Sequence, residues 1–330
     1  MQAYVIHQAG GPEVLKLEEL PDPRPSEGQV LIGIKAFGLN RAEAVTRMGG
    51  SGDAVKWPKV IGIECVGVVL ECPGGELAVG QTVAAAMGGM GRVYNGSYAE
   101  KTLVPVSNVF PLTTSLDWVT LASVPETYFT AWGCLFESLQ TQQHAKPRVV
   151  VRPAASALGI AITQIVNQLG GEVIGLTRSP DKVDRLKQAG MTEVWVTSDP
   201  IHEKVLQCWP EGATGVVDTV VSLVTVPDDV AMLAPNGRVC LAGSLAESYG
   251  TAAPQDFREA LEKSAVGYFS SEELHVSKDG TNLQMMVDRM ENGQYAPHID
   301  TVYDFEELPA AHAAMDANQF AGKVVVKVAD

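Results

Sequence analysis

The sequence predicts an α/β protein of two domains, a β-rich one and a doubly wound parallel sheet set into it. Three observations carry that expectation. A length of 330 residues fits two domains of ordinary size. The first third is made of short strand-like runs broken by turn clusters. From about residue 123 strands alternate with helical stretches, before the chain returns to mixed character at its end.

Gln29 to Ala36 is strand-like, and Pro21-Asp22-Pro23-Arg24-Pro25 and Pro73-Gly74-Gly75 punctuate the region around it. Val60 to Val69 is β-rich and glycine-interrupted, which suits a tightly curved barrel wall. Arg148–Val151 is a short apolar strand, followed by a small-residue loop and a helix from Leu158 to Leu169. Glu172–Leu176 is a second strand and Pro180–Ala189 a second helix. Glu193–Val196, Gly215–Thr219 and Gly237–Leu241 continue the series, and Ala265–Ser270 supplies a last strand. Parallel neighbours need crossover connections, so strands separated by helices mean a parallel sheet. A helix over Leu308–Asn318 leads through Gly322 into the strand Lys323–Val328.

Composition narrows the function. With 46% hydrophobic and 19% charged residues the chain has a core to bury and is not a disordered type. A formal charge of −15, with no basic run, repels nucleic acid and anionic membrane surfaces, leaving a small molecule as the expected partner. No window reaches the roughly 18–20 apolar residues of a membrane span, and Met1–His7 lacks the features of a secretory signal. The five cysteines are scattered without CxxC spacing, as in reduced thiols, and a cytoplasmic location is expected.

Several blocks appear in a telling order. Gly38-Leu39-Asn40-Arg41-Ala42-Glu43, Ile61-Gly62-Ile63-Glu64-Cys65-Val66-Gly67, Val79-Gly80-Gln81-Thr82-Val83 and Gly96-Ser97-Tyr98-Ala99-Glu100 come first. Pro125–Trp132 and Ala321-Gly322-Lys323-Val324-Val325-Val326 follow. Together they resemble the medium-chain dehydrogenase/reductase superfamily, in its zinc-independent quinone oxidoreductase and enoyl reductase-like branch. The resemblance implies a GroES-like catalytic domain over 1–122, completed by 267–330, and a Rossmann NADP-binding domain over 123–266. It also implies a homodimer, with Rossmann edge strands pairing near Ala265–Ser270, and an active site in the cleft between domains.

Zinc-dependent relatives hold their catalytic metal with Cys, His and a carboxylate. Here Asn40 stands in the Cys position and Ile63 in the His position before Glu64. An amide oxygen is a poor zinc ligand and isoleucine is none. No segment holds the four cysteines of a structural lobe, and the six histidines are dispersed. No metal is expected.

The loop after the first Rossmann strand reads Arg152-Pro153-Ala154-Ala155-Ser156-Ala157-Leu158-Gly159. Its small residues let a pyrophosphate approach backbone N–H groups, with Ser156, Ala157, Leu158 and Gly159 as the expected contacts. Pro153 and Ala154 replace the two glycines usual in the family, so a small-residue turn that binds nothing remains an alternative. At the end of the second strand NAD-binding domains place an acidic residue. This chain has Thr177-Arg178-Ser179 and then Lys182, and Arg178, Ser179 and Lys182 suit the 2′-phosphate of NADPH. Gly243 and Ser244 complete the expected cofactor-binding set, and Thr130 is placed by motif position at the nicotinamide.

Without a Lewis acid, reduction of a double bond conjugated to a carbonyl is favoured over alcohol oxidation. Asn40 is the candidate donor towards the carboxamide or substrate, and Tyr128 the candidate proton donor, with solvent as its alternative. The function expected is hydride transfer from NADPH to a quinone or an α,β-unsaturated carbonyl. The altered phosphate loop motivates a second reading, a non-redox cyclase or isomerase with NADPH absent or structural.

Overall fold

The structure, a computed structural model, describes residues 1–197, 200–243, 265–271 and 281–328. Seven strands precede the parallel sheet: β1 (Gln2–Val5), β2 (Lys16–Glu19), β3 (Gln29–Leu39), β4 (Glu64–Glu71), β5 (Thr82–Ala86), β6 (Lys101–Pro105) and β7 (Val109–Pro111). The parallel sheet holds β8 (Arg148–Arg152), β9 (Glu172–Thr177), β10 (Glu193–Val196), β11 (Ala213–Asp218), β12 (Leu233–Leu241) and β13 (Val266–Tyr268). Two strands follow it, β14 (Ile299–Asp304) and β15 (Lys323–Lys327). The chain divides into two compact units, Met1–Phe129 with Glu272–Asp330, and Thr130–Ser271.

In the first unit β14-β15-β3-β4-β5-β7 form a sheet that β6 joins by pairing with β3, and β1 and β2 form a separate hairpin. β3 serves β4, β6 and β15 at once, which its eleven residues and bulged register allow. Its inward residues Ile32, Ile34 and Phe37 are buried, and Phe37 stacks on Tyr98 at 5.0 Å and meets Phe305 edge-on. A buried polar chain crosses this core. Arg47, in α1 (Arg41–Arg47), donates to Nδ1 of His312 at 2.8 Å and to Asp316 at 2.6 Å. Because a guanidinium only donates, Nδ1 must accept, so Nε2 carries the proton and donates to the Tyr98 hydroxyl at 2.8 Å. Burial, with Arg47 beside it, pushes His312 down to about 3, so the ring is neutral.

One strand expectation needs correction. Val60–Ile63 is not strand: its carbonyls accept from Gly96, Ser97 and Tyr98 in a neighbouring loop, and β4 begins only at Glu64. The apolar pattern there reflects burial rather than sheet pairing.

In the second unit all strand pairs are parallel, in the order β10-β9-β8-β11-β12-β13. β11 is buried along its whole length, as a central parallel strand covered on both faces should be. Strand order reverses between β9 and β11, on either side of β8, and ligands of such sheets bind beyond the carboxyl ends at that point. The second helix opens as a 3-10 turn, Pro180–Lys182, before α-geometry begins at Val183. Among the described residues no helix is long and apolar enough to cross a membrane.

Candidate functional site

At the nucleotide end of the second unit, β8 delivers Arg152 to the loop and the twelve-residue α4 (Ala157–Gln168) follows. Ser156 is the N-cap, its Oγ accepting from the Gly159 amide at 3.0 Å. A Cβ on Gly159 would lie 2.4 Å from the Ala154 carbonyl oxygen, so only glycine lets the helix close on the loop. Pro153 has no N–H and the Ala154 N–H donates to the Leu176 carbonyl at 2.8 Å. The first-turn amides of Ala157 and Leu158 meet no acceptor among the described residues, as first-turn helix amides commonly do.

Arg152 is a feature that sequence reasoning passed over. Its guanidinium is buried, 2.9 Å from Asp228 and 3.2 Å from Asp229, both on α7 (Thr225–Ala231). Asp228 also accepts from the Ile201 and His202 amides and faces the His202 ring at 2.8 Å. Burial opposes its ionisation, but Arg152 and these amides hold its carboxyl below the usual range. Asp229 goes the other way: burial pushes its carboxyl well up, with Asp218 adding to it and Arg152 pulling against it. The cluster pins the carboxyl end of β8 to α7 and fixes the root of the phosphate loop.

At the end of β9, Thr177 is buried and its Oγ1 accepts from the Ser179 amide at 3.1 Å, turning the chain so that Arg178 is exposed. No acidic side chain among the described residues pairs with Arg178, and Lys182 lies at the end of the 3-10 turn. Gly243, just past β12, sits against Thr219 beyond β11. Ser244 lies outside the described residues. Ser156, Ala157, Leu158 and Gly159 thus share one helix start, with Arg178, Ser179 and Lys182 one strand away.

The first unit carries the other cluster. Asn40 follows β3 and precedes α1, and its backbone N–H donates to the Glu43 carboxylate at 2.5 Å. Its side chain is gripped at both ends: Nδ2 donates to Glu64 Oε1 at 2.8 Å, and Oδ1 accepts from Lys323 Nζ at 2.8 Å. Lys323 also reaches Glu64 Oε1 at 2.6 Å, and Glu64 Oε2 accepts from the Glu126 amide at 2.8 Å, at the start of α3 (Pro125–Trp132). Glu43, Glu64 and Lys323 are buried while Asn40 is half-exposed. Burial, then the charge of Glu64, pushes Glu43 up to about 8, so the cluster holds a proton at neutral pH. Glu43 and Lys323 escaped sequence reasoning. The Asn40-to-Glu43 spacing of a capping box was the available signal for the first.

Tyr128 and Thr130 both lie on α3, Tyr128 in the first unit and Thr130 in the second. Tyr128 is buried and stacks on Tyr295 at 5.6 Å. Burial, with Tyr295 beside it, raises its phenol well above the ordinary value, so it holds its proton tightly.

A parallel sheet of six strands with a small-residue loop and helix start after β8, in one chain with a β-rich unit, is the architecture of a two-domain dehydrogenase. The Alcohol dehydrogenase GroES-like domain matches residues 26–114 and the Zinc-binding dehydrogenase family residues 190–326. The chain belongs to the medium-chain dehydrogenase/reductase superfamily, in its quinone oxidoreductase-like branch. A quinone oxidoreductase of Lama guanicoe is 29% identical over 99% of this chain and 97% of its own. A mycobacterial protein solved in complex with NADPH superposes with a TM-score of 0.84, at 25% identity over 99% of this chain and 100% of that one. A structure described as an NAD-dependent alcohol dehydrogenase superposes with a TM-score of 0.83, at 26% identity over the same shares. Although one matching family is described as zinc-binding, no group of three or more His, Cys, Asp or Glu side chains among the described residues is placed to hold a metal.

Proposed function

We propose that the protein is an NADPH-dependent reductase that adds hydride to a quinone or an α,β-unsaturated carbonyl without a metal. The observation that carries this reading is the nucleotide end of the second unit. Two α4 amides are open to a pyrophosphate, and Arg178 is exposed where an NAD-binding domain would place a carboxylate. The mycobacterial relative's complex with NADPH supports the same choice. Ser156, Ala157, Leu158 and Gly159 would hold the pyrophosphate, Arg178, Ser179 and Lys182 the 2′-phosphate, and Thr130 and Gly243 the nicotinamide half.

Bound NADPH supplies the hydride; the protein's own groups bind, orient and stabilise. Charge developing on the substrate's carbonyl oxygen is met by the Asn40 amide. Glu64 accepts from Lys323, from Asn40 and from a backbone amide, so an ammonium stands beside it within the cluster. Tyr128, buried and weakly acidic, suits substrate packing better than proton delivery, and solvent protonates the enolate carbon. The test is incubation with excess NADPH and a panel of enals and quinones, following nicotinamide absorbance, with elemental analysis for zinc. Turnover unaffected by chelators is expected, and about one zinc per chain would sink the metal-free part.

The spent Ala154 N–H and the missing one at Pro153 favour one competitor, a cyclase or isomerase that does not oxidise NADPH. It requires that titration to millimolar NADPH show no saturable binding.

A further inference from the structure

A carboxamide has two ends of similar size and opposite hydrogen-bonding sense, and rotation by a half turn exchanges them. At Asn40 the neighbours decide which end goes where. The Lys323 ammonium can only donate, and Glu64 Oε1, which takes both that ammonium and the Asn40 amide, accepts. The reversed amide would set donor against donor and acceptor against acceptor in a buried place, so one orientation is enforced by chemistry rather than by fit. Glu64 is itself held, because its second oxygen takes the Glu126 amide.

The backbone makes room for this arrangement. A Cβ on Gly38 of β3 would lie 2.3 Å from Lys323 Cε, 2.5 Å from Glu64 Oε1 and 2.8 Å from Lys323 Nζ. The ammonium and carboxylate occupy the slot that a side chain at position 38 would fill. One Nδ2 hydrogen of Asn40 goes to Glu64, and the other has no acceptor among the described residues. Asn40 is partly exposed while its two partners are buried, so it is the member of this trio that a substrate can reach. The hydrogen bond from Lys323 to Oδ1 draws electron density from the amide nitrogen and strengthens it as a donor.

We propose that Lys323 and Glu64 are positioning residues that lock the Asn40 carboxamide with its second Nδ2 hydrogen presented to the substrate's carbonyl oxygen. This rests on the reductase reading. Hydride adds to the β-carbon, the π electrons move onto the carbonyl oxygen, and that oxygen accepts from Asn40 until a solvent proton completes the reduction. Lys323 and Glu64 touch neither substrate nor cofactor in this scheme; they act through Asn40.

Lys323→Met alone strands a buried carboxylate and can fail to fold. The test therefore uses Lys323→Met/Glu64→Gln, which removes both charges; the glutamine oxygen stays with the Glu126 amide, so its NH2 faces Asn40 and the reversed carboxamide is no longer opposed. Four quantities are compared with the parent: melting temperature, NADPH affinity by fluorescence titration, kcat and KM for trans-2-hexenal, and the Asn40 side chain in a crystal structure. The double variant should melt within a few degrees of the parent and bind NADPH within about twofold, with the Asn40 carboxamide reversed or in more than one conformation. Its kcat should fall about ten- to hundredfold, short of the loss when an oxyanion donor is removed outright. Unchanged kcat in the folded variant, a loss carried by NADPH affinity instead, or an Asn40 held as in the parent would overturn the proposal. If the parent oxidises NADPH with no enal or quinone, the reductase reading fails, while the Asn40 conformations still decide whether Lys323 and Glu64 lock the amide.

Discussion

Arg178 and Lys323 are both cations at strand ends, and their environments separate them. Arg178 is exposed with no acidic partner among the described residues, so its charge is available to a ligand; Lys323 is buried and spent on Glu64 and Asn40. A charge-assisted pair to phosphate contributes roughly 1.5–3 kcal/mol, or about ten- to hundredfold in affinity. Arg178→Glu should therefore erase or reverse the preference for NADPH over NADH, measured as the ratio of kcat/KM values. A variant that discriminates as the parent does would misplace the phosphate site. Arg178 was legible because its residue type contradicts a rule tied to a strand end. Lys323 was not, since three valines with a lysine at each end give no sign of which lysine is buried. That residue 323 meets residues 40 and 64 is a fact of sheet pairing, set by β15 lying beside β3.

Among elements, β8, its loop and α4 bear most directly on function. The β/α periodicity placed the ends of β8, β9 and α4 within one or two residues, because strand and helix repeats differ so plainly there. What the pattern could not show is where each loop amide goes. With Pro153 silent and Ala154 committed to Leu176, binding should lean on the Arg178 end and weaken steeply with salt. Replacing Pro153 and Ala154 with glycine should tighten NADPH or leave it unchanged, as read by titration at two ionic strengths. A large loss of affinity would show that the rigid loop preorganises the site, with its backbone freedom costing more than a donor returns. Val60–Ile63 failed for a related reason: burial without pairing leaves the same apolar signature as a strand.

At the scale of the whole molecule, two buried groups set opposing pH dependences. Glu43 titrates near 4.5 in an unfolded chain and about 8 in the fold, so the folded form holds the extra proton between those values. Stability from this group is complete in acid and is lost as pH rises through 8. His312 falls from 6.5 to about 3, so its share is complete above 6.5 and is lost as pH falls towards 3. Glu43→Gln should flatten the decline in melting temperature between about pH 5.5 and 8.5 while leaving the acid limb unchanged. A parallel decline in both proteins would show that Glu43 is ionised throughout. Assembly belongs to this scale as well. Among the described residues β13 lies at the edge of its sheet, pairs with β12 alone and leaves Tyr268 two-thirds exposed. An open apolar edge invites pairing with a second copy. Light scattering at micromolar concentration should give a dimer, and a monomer would contradict it.

The placement of Lys323 bears on biosynthesis. A ribosome delivers Asn40, Glu43 and Glu64 early, yet the cation that neutralises Glu64 arrives only after the entire second unit has been translated. Until β15 emerges and pairs with β3, the nascent first unit carries Glu64 without its ammonium partner, and β3 and β14 lack the strand that joins them. The second unit is one continuous stretch, Thr130–Ser271, and domains fold as units, so its residues are all present while the first unit still lacks β15. Synthesis thus completes the parallel sheet before the half bearing Asn40 receives the ammonium that holds it.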